Sequence, residues 1–357
     1  MPSWVGDVVM ATPALRVVRS SLPGAFVGVL LRPPLEEVVA GLGTFDEAHV
    51  DRAEGVMGPK HVAGRLRPRR YEASLLLTNS FSTALIARLA GIPRRVGYSR
   101  DARAMLLTHG IEASRRAGGG FAPVPAVVSY LHAAEHFLWV MGRRERAPEA
   151  AWPTRWKGEP IVVPEGVRLE LAVTESQRAR ASEVLSRGGL EGRAFALLNP
   201  GGNNAAKRWP AERFARVAEH LWRAHGLAVA VNASPGEGEV SRAIAACASC
   251  PVVELGPLGG TLGSLKGVVE RARLMVTNDT GPRHFAAALG VPVVTLFGPT
   301  DPRWTTIPAA GGEEEVVADP TLPAGEVADD HAERCRIEGI GVERVAAACD
   351  RLLSRGG

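Results

Sequence analysis

Two series of short apolar runs, each alternating with helix-patterned segments and separated by a proline-rich break, constrain this chain more than any other feature of its sequence. Neighbouring parallel strands need a crossover of a dozen or more residues, so strand–helix alternation predicts parallel sheets covered on both faces. In the first series residues 25–31, 48–50, 74–77 and 95–98 read as strands, and 8–21, 82–90 and 127–141 as helices. In the second, 194–198, 227–231, 274–278 and 292–297 read as strands, and 210–224, 265–272 and 282–289 as helices. Between them, residues 150–170 carry Trp152-Pro153, Pro160 and Pro164, the breakers of a linker. At 357 residues the chain exceeds the size at which one core stops growing. The expected organisation is a Rossmann-like half over 1–160, a second over 161–340, and a C-terminal helix over 341–357 that packs back on the first half. Two doubly wound α/β halves facing across a cleft would hold a ligand beyond the carboxyl ends of their strands.

The helix predicted from Pro210 shows how local these signals are. Proline suits a first helical turn, Phe214, Val217, Ala218, Leu221 and Trp222 share one face, and Gly226 supplies the stop.

Composition narrows the class further. With 46% hydrophobic and 22% charged residues the chain is not mainly disordered. No run approaches the roughly 20 apolar residues of a membrane helix, and no charged segment followed by an apolar run opens the sequence, so a cytoplasmic protein is expected. Four cysteines do not make a disulfide framework at this length. Residues 51–120 hold thirteen Lys or Arg against five Asp or Glu, a local net of +8 in a chain of +4 overall. Such a segment favours an anionic partner, or is simply a solvated arginine-rich face. Its three scattered aromatics, Tyr71, Phe81 and Tyr98, are too few for a nucleic-acid stacking platform.

Three segments could carry chemistry. In the first, Thr277-Asn278-Asp279-Thr280-Gly281-Pro282-Arg283-His284, a strand ends in a polar turn and a helix starts at Pro282, which aims free backbone N–H groups at the turn. Gly281 allows close approach there, and Thr280 and His284 could donate to phosphate oxygens. The plainer alternative is a capped helix start with Asp279 or Thr280 as cap and His284 facing solvent. The second is the loop Asn199-Pro200-Gly201-Gly202-Asn203-Asn204-Ala205-Ala206-Lys207-Arg208-Trp209, which holds one of only four lysines where a doubly wound domain seats a phosphate. In the third, Asp7 follows Gly6 at the start of an apolar helix, as a helix cap or as a carboxylate able to take a proton. The fingerprints of ATPases and of nicotinamide-binding folds are absent, as is any D-x-D pair for a divalent ion. His132-Ala133-Ala134-Glu135-His136 has the spacing of an inverted zinc-peptidase motif but lacks a downstream acidic ligand, and Cys247 and Cys250 lack a second pair.

Taken together, Pro2-Ser3-Trp4-Val5-Gly6-Asp7, Lys207-Arg208-Trp209-Pro210, Asn278-Asp279-Thr280-Gly281-Pro282 with His284, and the ending Gly341-Val342-Glu343-Arg344-Val345 resemble the ADP-heptose:lipopolysaccharide heptosyltransferases of glycosyltransferase family 9, their heptosyltransferase II branch most of all. The resemblance runs from Pro2 to about Leu353. It implies the GT-B fold and an inverting enzyme that moves a heptose from ADP-heptose to the anionic inner core of lipopolysaccharide, with no cofactor or metal and with peripheral contact to the inner membrane. It implies Asp7 as base, and Gly202, Asn203, Lys207, Glu237, Asp279, Thr280, Gly281 and His284 as donor-binding residues, Glu239 being an equally near candidate for the ribose contact. Acceptor binding is implied for Thr12, Arg65, Arg67, Arg95 and Arg100. Where the family often carries several cysteines near residues 320–335, this chain has Cys335 alone. Other readings remain: a related enzyme with another nucleotide-diphosphate sugar, a nucleotide-sugar epimerase, or an inactive nucleotide-sugar-binding protein. The family motif also follows a short apolar strand, whereas Pro2–Asp7 begins this sequence, so the first strand is expected to be missing and the natural start to lie upstream of Met1.

Overall fold

The computed structural model describes residues 1–52, 54–150 and 152–355, which leaves positions 356 and 357 of the expected C-terminal helix outside it. The chain divides into two compact units, the first of residues 1–167 with 303–306, the second of 168–302 with 307–357.

The second unit is built on one six-stranded, wholly parallel sheet. Its elements are α7 (Glu175–Arg187), β8 (Phe195–Asn199), α8 (Ala211–His225), β9 (Ala228–Val231), α9 (Gly238–Cys247), β10 (Val252–Glu254), α10 (Leu262–Glu270), β11 (Leu274–Asn278), α11 (Gly281–Leu289), β12 (Val293–Phe297), β13 (Glu313–Val317) and α12 (Val342–Arg355). The strand order is β10-β9-β8-β11-β12-β13. Counted along the chain this is 3-2-1-4-5-6, the doubly wound order, and the winding reverses between β8 and β11. All five residues of β8, β11 and β12 are buried, as expected of strands covered on both faces. Leu198, Val229, Val276, Val294 and Leu296 pack with Phe214, Leu221, Val345 and Leu352 from the flanking helices. Each such side chain stabilises the fold by about 1.5–3 kcal/mol when fully buried. α12 packs on α8 and β13, inside this unit. Its Val345, Ala348, Cys349 and Leu352 form one apolar face that this core accepts.

The first unit contains α1 (Val5–Met10), α2 (Thr12–Ser21), β1 (Gly28–Leu31), α3 (Glu36–Val39), β2 (Glu47–Val50), α4 (Gly58–Leu66), β3 (Ala73–Leu76), α5 (Phe81–Leu89), β4 (Arg94–Tyr98), β5 (His109–Ile111), β6 (Arg115–Arg116), α6 (Ala126–Val140) and β7 (Arg155–Trp156). The single helix expected over 8–21 is two, because Pro13 in the first turn of α2 cannot donate the hydrogen bond that would continue α1. Its main parallel strands form two sheets, β1-β2 and β3-β4-β5. A cavity of about 650 Å³, lined by β1, β3 and Met1–Ser3, separates them. Placed side by side as β2-β1-cavity-β3-β4-β5, the two sheets repeat the order of the second unit, with the cavity where that unit has β8. The Met1 ammonium donates to the Leu30 carbonyl at 3.0 Å, and burial lowers its pKa to about 6.

Candidate active site

Within the second unit, the switch point collects most of the residues implied for donor binding. The loop after β8 and the turn after β11 are tied together before any ligand arrives. Asn199 donates from Nδ2 to Thr277 Oγ1 at 3.1 Å and to Thr280 Oγ1 at 2.9 Å, and accepts from Asn232 Nδ2 at 2.7 Å. Asn278, fully buried, donates to the carbonyls of Pro200 at 2.7 Å and Gly201 at 3.2 Å. These short amides satisfy the backbone that a loop at a sheet's end would leave unpaired.

On this frame Lys207 places its ammonium 3.0 Å from Asp279 Oδ2. Asp279 is buried, which by itself would raise its pKa, but the Arg283 guanidinium and the Lys207 ammonium hold it below the ordinary carboxylate range. Arg283, entirely buried, lies 3.6 Å from Asp279 and donates to Glu313 at 2.6 and 3.0 Å. Glu315, 3.4 Å away on the same strand, has its pKa raised by burial. Arg283 thus fixes the carboxylate that orients the lysine, a role the sequence did not disclose. Its outward sign was an arginine in the first turn of an apolar helix and a Glu313-Glu314-Glu315 run leading into valines.

Thr280 is the N-cap residue of α11 and makes no side-chain capping bond, its hydroxyl being engaged with Asn199. The first turn of this nine-residue helix keeps the Gly281 N–H and the partial positive charge of the helix end available to an anion. His284 does not face solvent. It is buried, neither ring nitrogen makes a well-formed hydrogen bond, and burial together with the Arg283 charge lowers its pKa to about 4. At neutral pH it is an uncharged imidazole.

Glu237, after β9, accepts from the Gly202 N–H at 2.7 Å and from the Ser234 hydroxyl at 2.6 Å, with Arg208 at 3.7 Å. A Cβ at Gly201 would collide with this carboxylate, which explains that glycine. Glu239 is exposed in the first turn of α9 and makes no such contact with the β8 loop. Asn203 is exposed on the same loop.

The first unit carries a separate cavity of about 260 Å³, lined by Asp7, Asn79, Tyr98, Arg100, Phe121 and Tyr130 among others. Asp7 is not the cap of α1: that position belongs to Trp4, and Asp7 sits in the first turn, its Oδ1 accepting from the Tyr130 hydroxyl at 2.8 Å. The buried Tyr130 has its pKa raised well above the usual value by burial and by the Asp7 charge, so it donates and does not ionise. Tyr130 lies on the apolar α6, a segment whose sequence predicts a helix and gives no sign of this contact.

Arg100 stacks on Phe121 at 3.5 Å from the ring centroid, inside this cavity. The other implied acceptor residues are not brought here. Arg65 donates to the Val50 carbonyl, Arg67 to Leu89, and Arg95 to Leu106 and Ile92, while Thr12 is buried and donates to Val9 at the start of α2. Of the decoys, Glu135 is paired with Arg144 and so turned from its histidines, and Cys247 and Cys250 are free thiols, one exposed and one buried.

A doubly wound sheet with an anion-ready turn at its switch point, in a chain with two Rossmann-like units, is the architecture of the GT-B fold. The sequence profile of glycosyltransferase family 9 (heptosyltransferase) matches residues 158–325. Lipopolysaccharide heptosyltransferase 2 of Escherichia coli K12 is 28% identical over 312 residues, covering 85% of this chain and 83% of that protein. Its counterpart from Salmonella typhimurium is 29% identical over the same shares. Among solved structures, E. coli ADP-heptose lps heptosyltransferase II superposes with a TM-score of 0.75 at 23% identity over 99% of this chain and 97% of that one. A family 9 glycosyl transferase from Veillonella parvula gives 0.76 at 22% over 99% and 96%. Residues 158–325 thus carry the glycosyltransferase family 9 match, and the similarity to the heptosyltransferases extends over 85% of the chain. No helix among the described residues is long and apolar enough to cross a membrane.

Proposed function

We propose that this enzyme is an inverting heptosyltransferase that moves a heptose from ADP-heptose onto an acceptor hydroxyl of the lipopolysaccharide inner core. The observation that carries the reading is the switch point of the second unit, where a lysine held by a buried aspartate meets the open N-terminus of α11. That arrangement suits a leaving group that gains negative charge.

In the proposed reaction the acceptor oxygen attacks the anomeric carbon as the bond to the β-phosphate oxygen breaks, through an oxocarbenium-like transition state. The Asp7 carboxylate takes the acceptor proton, and its bond from Tyr130 holds the side chain in one rotamer. Lys207 and the N–H group at Gly281 neutralise the departing ADP, with Asp279 as a positioning residue for Lys207. Neutral His284 lends shape and polarity, and no charge, to that wall. Glu237 secures the β8 loop at Gly202 and is the assigned ribose contact. No cofactor is given a role in this step. Arg100 is the acceptor-facing cation of the first unit, while the remaining arginines of residues 51–120 provide a diffuse field toward an anionic acceptor and the inner-membrane surface, consistent with a cytoplasmic enzyme peripheral to that membrane.

The test is turnover of ADP-heptose with core acceptors of defined length, read as ADP release and as a heptose-sized mass gain on the acceptor. Donor consumption with no acceptor present would favour an epimerase or hydrolase. Tight ADP binding without turnover on any acceptor would favour a binding protein.

A further inference from the structure

Away from the switch point, the far end of α8 holds a group of side chains that the transfer reaction does not use. His220 and His225 on α8 and Asp350 on α12 converge: both Nε2 atoms lie beside the same carboxylate oxygen, at 2.7 and 2.6 Å, and all three donor atoms fall within 4.8 Å of one another. The geometry points to a binding site for a divalent first-row transition cation, formed by two imidazoles and one carboxylate, that clamps α12 to α8.

The donor set is the first argument. Imidazole nitrogen with carboxylate oxygen suits Zn²⁺ and its neighbours, at about 2.0–2.2 Å per ligand. The side chains are between a quarter and a half exposed, so an ion can enter from solvent, and rotation of unburied groups is enough to close the ligand triangle. Solvent can fill the remaining positions. Placement is the second argument. His225 is the last residue of α8, which ends at Gly226 in the left-handed conformation, so the ion would sit where the helix's terminal carbonyls leave partial negative charge. The third is what lies beneath. The neighbouring Cys349 and Leu352 are buried against α8, so the two helices are already held in register and little ordering is needed on binding. The residues bridged are 125 and 130 positions apart in sequence, which makes the ion a long-range cross-link between the terminal helix and the sheet's covering layer.

The experiment uses the full chain without a histidine tag, stripped with chelator and titrated with Zn²⁺ by calorimetry near neutral pH. One ion per chain is expected, with a rise in melting temperature because the ion binds only the folded form. His225→Gln, His220→Gln and Asp350→Asn should each weaken binding by at least the roughly 10- to 100-fold seen when a ligand's supporting partner is removed. His132→Gln, in the other histidine pair, should leave stoichiometry and affinity unchanged. Melting curves in chelator identify any variant that is misfolded, and the two remaining variants then decide. Absence of stoichiometric binding to the wild type, or equal binding by His220→Gln/His225→Gln, would overturn the assignment.

Discussion

Replacing Asp7 by Asn separates chemistry from stability in a way the structure makes quantitative. Were Asp7 the cap of α1, its loss would act on folding, at about 1 kcal/mol for a typical cap. Trp4 occupies that position, so Asn at residue 7 leaves the cap in place and loses the favourable interaction of a first-turn carboxylate with the helix dipole, about 0.3–1 kcal/mol. In units of this size that corresponds to a fall in melting temperature of at most about 2–4 °C. The Tyr130 hydroxyl can still donate to the Asn carbonyl oxygen, so the cavity should keep its shape. Turnover is different, because the amide cannot take a proton. A positioned base contributes about 10²- to 10⁴-fold, a barrier increase of roughly 3–5.5 kcal/mol. The assay is kcat with saturating ADP-heptose and core acceptor, beside ADP affinity by calorimetry and a melting curve. Expected are a kcat lower by at least about a hundredfold, unchanged ADP affinity and a small thermal shift. A kcat within about threefold of wild type, far below a base's usual contribution, would refute the assignment of Asp7 as base.

Tyr130→Phe removes a hydrogen bond to the charged form of Asp7, so the acid limb of the kcat/KM profile should move to higher pH, and an unmoved limb would mean that the tyrosine does not act on the base. Lys207→Ala should weaken ADP binding by about tenfold or more, as expected for loss of a hydrogen bond to a charged group worth roughly 1.5–3 kcal/mol, and calorimetry with ADP is the check. The folded-state pKa of His284, near 4 against 6.5 in the unfolded chain, means that only the unfolded state gains this proton between those values. Stability should therefore fall as pH drops from about 6.5 toward 4, by roughly 3 kcal/mol from this group, and urea midpoints for wild type and His284→Gln should differ in their slope over that window. Turnover should persist in excess chelator, and complete loss restored by a divalent ion would contradict the proposed step. Acceptor KM should rise with salt more than donor KM does, and equal sensitivity would remove the arginine-rich segment from acceptor binding.

The sequence displayed the architecture where punctuation was local. Pro210 and Gly226 bracket α8, and Gly281 with Pro282 mark the start of α11, each within a residue or two of the expected place. The short β5 and β10 and the polar α7 were not legible, since three-residue strands and a helix with little apolar surface are stabilised by their neighbours more than by their own pattern. At the candidate site the phosphate-facing turn and Lys207 were visible because unusual residues stood at the ends of apolar runs. Tyr130 and Arg283 were not, because each acts across more than a hundred residues or from within a hydrophobic helix, where composition reads as core. His284 was found as a residue, but its burial and the neutral imidazole that follows from it were not legible, since burial is a property of the packed structure.

The divided sheet of the first unit also sets an order of events under stress. In the second unit β8, β9, β11 and β12 have neighbours on both sides, whereas β1 and β3 each face the cavity along one edge. Amides on those edges lack the ladder that slows hydrogen exchange, so opening should begin at β1 and β3 and reach β8 and β11 last. On warming or in denaturant, the unit that carries Asp7 should loosen while the Lys207–Asp279 switch point is still intact. The enzyme would then lose the capacity to transfer sugar before it loses the capacity to hold ADP, and the interval between those two losses measures how unequal its halves are.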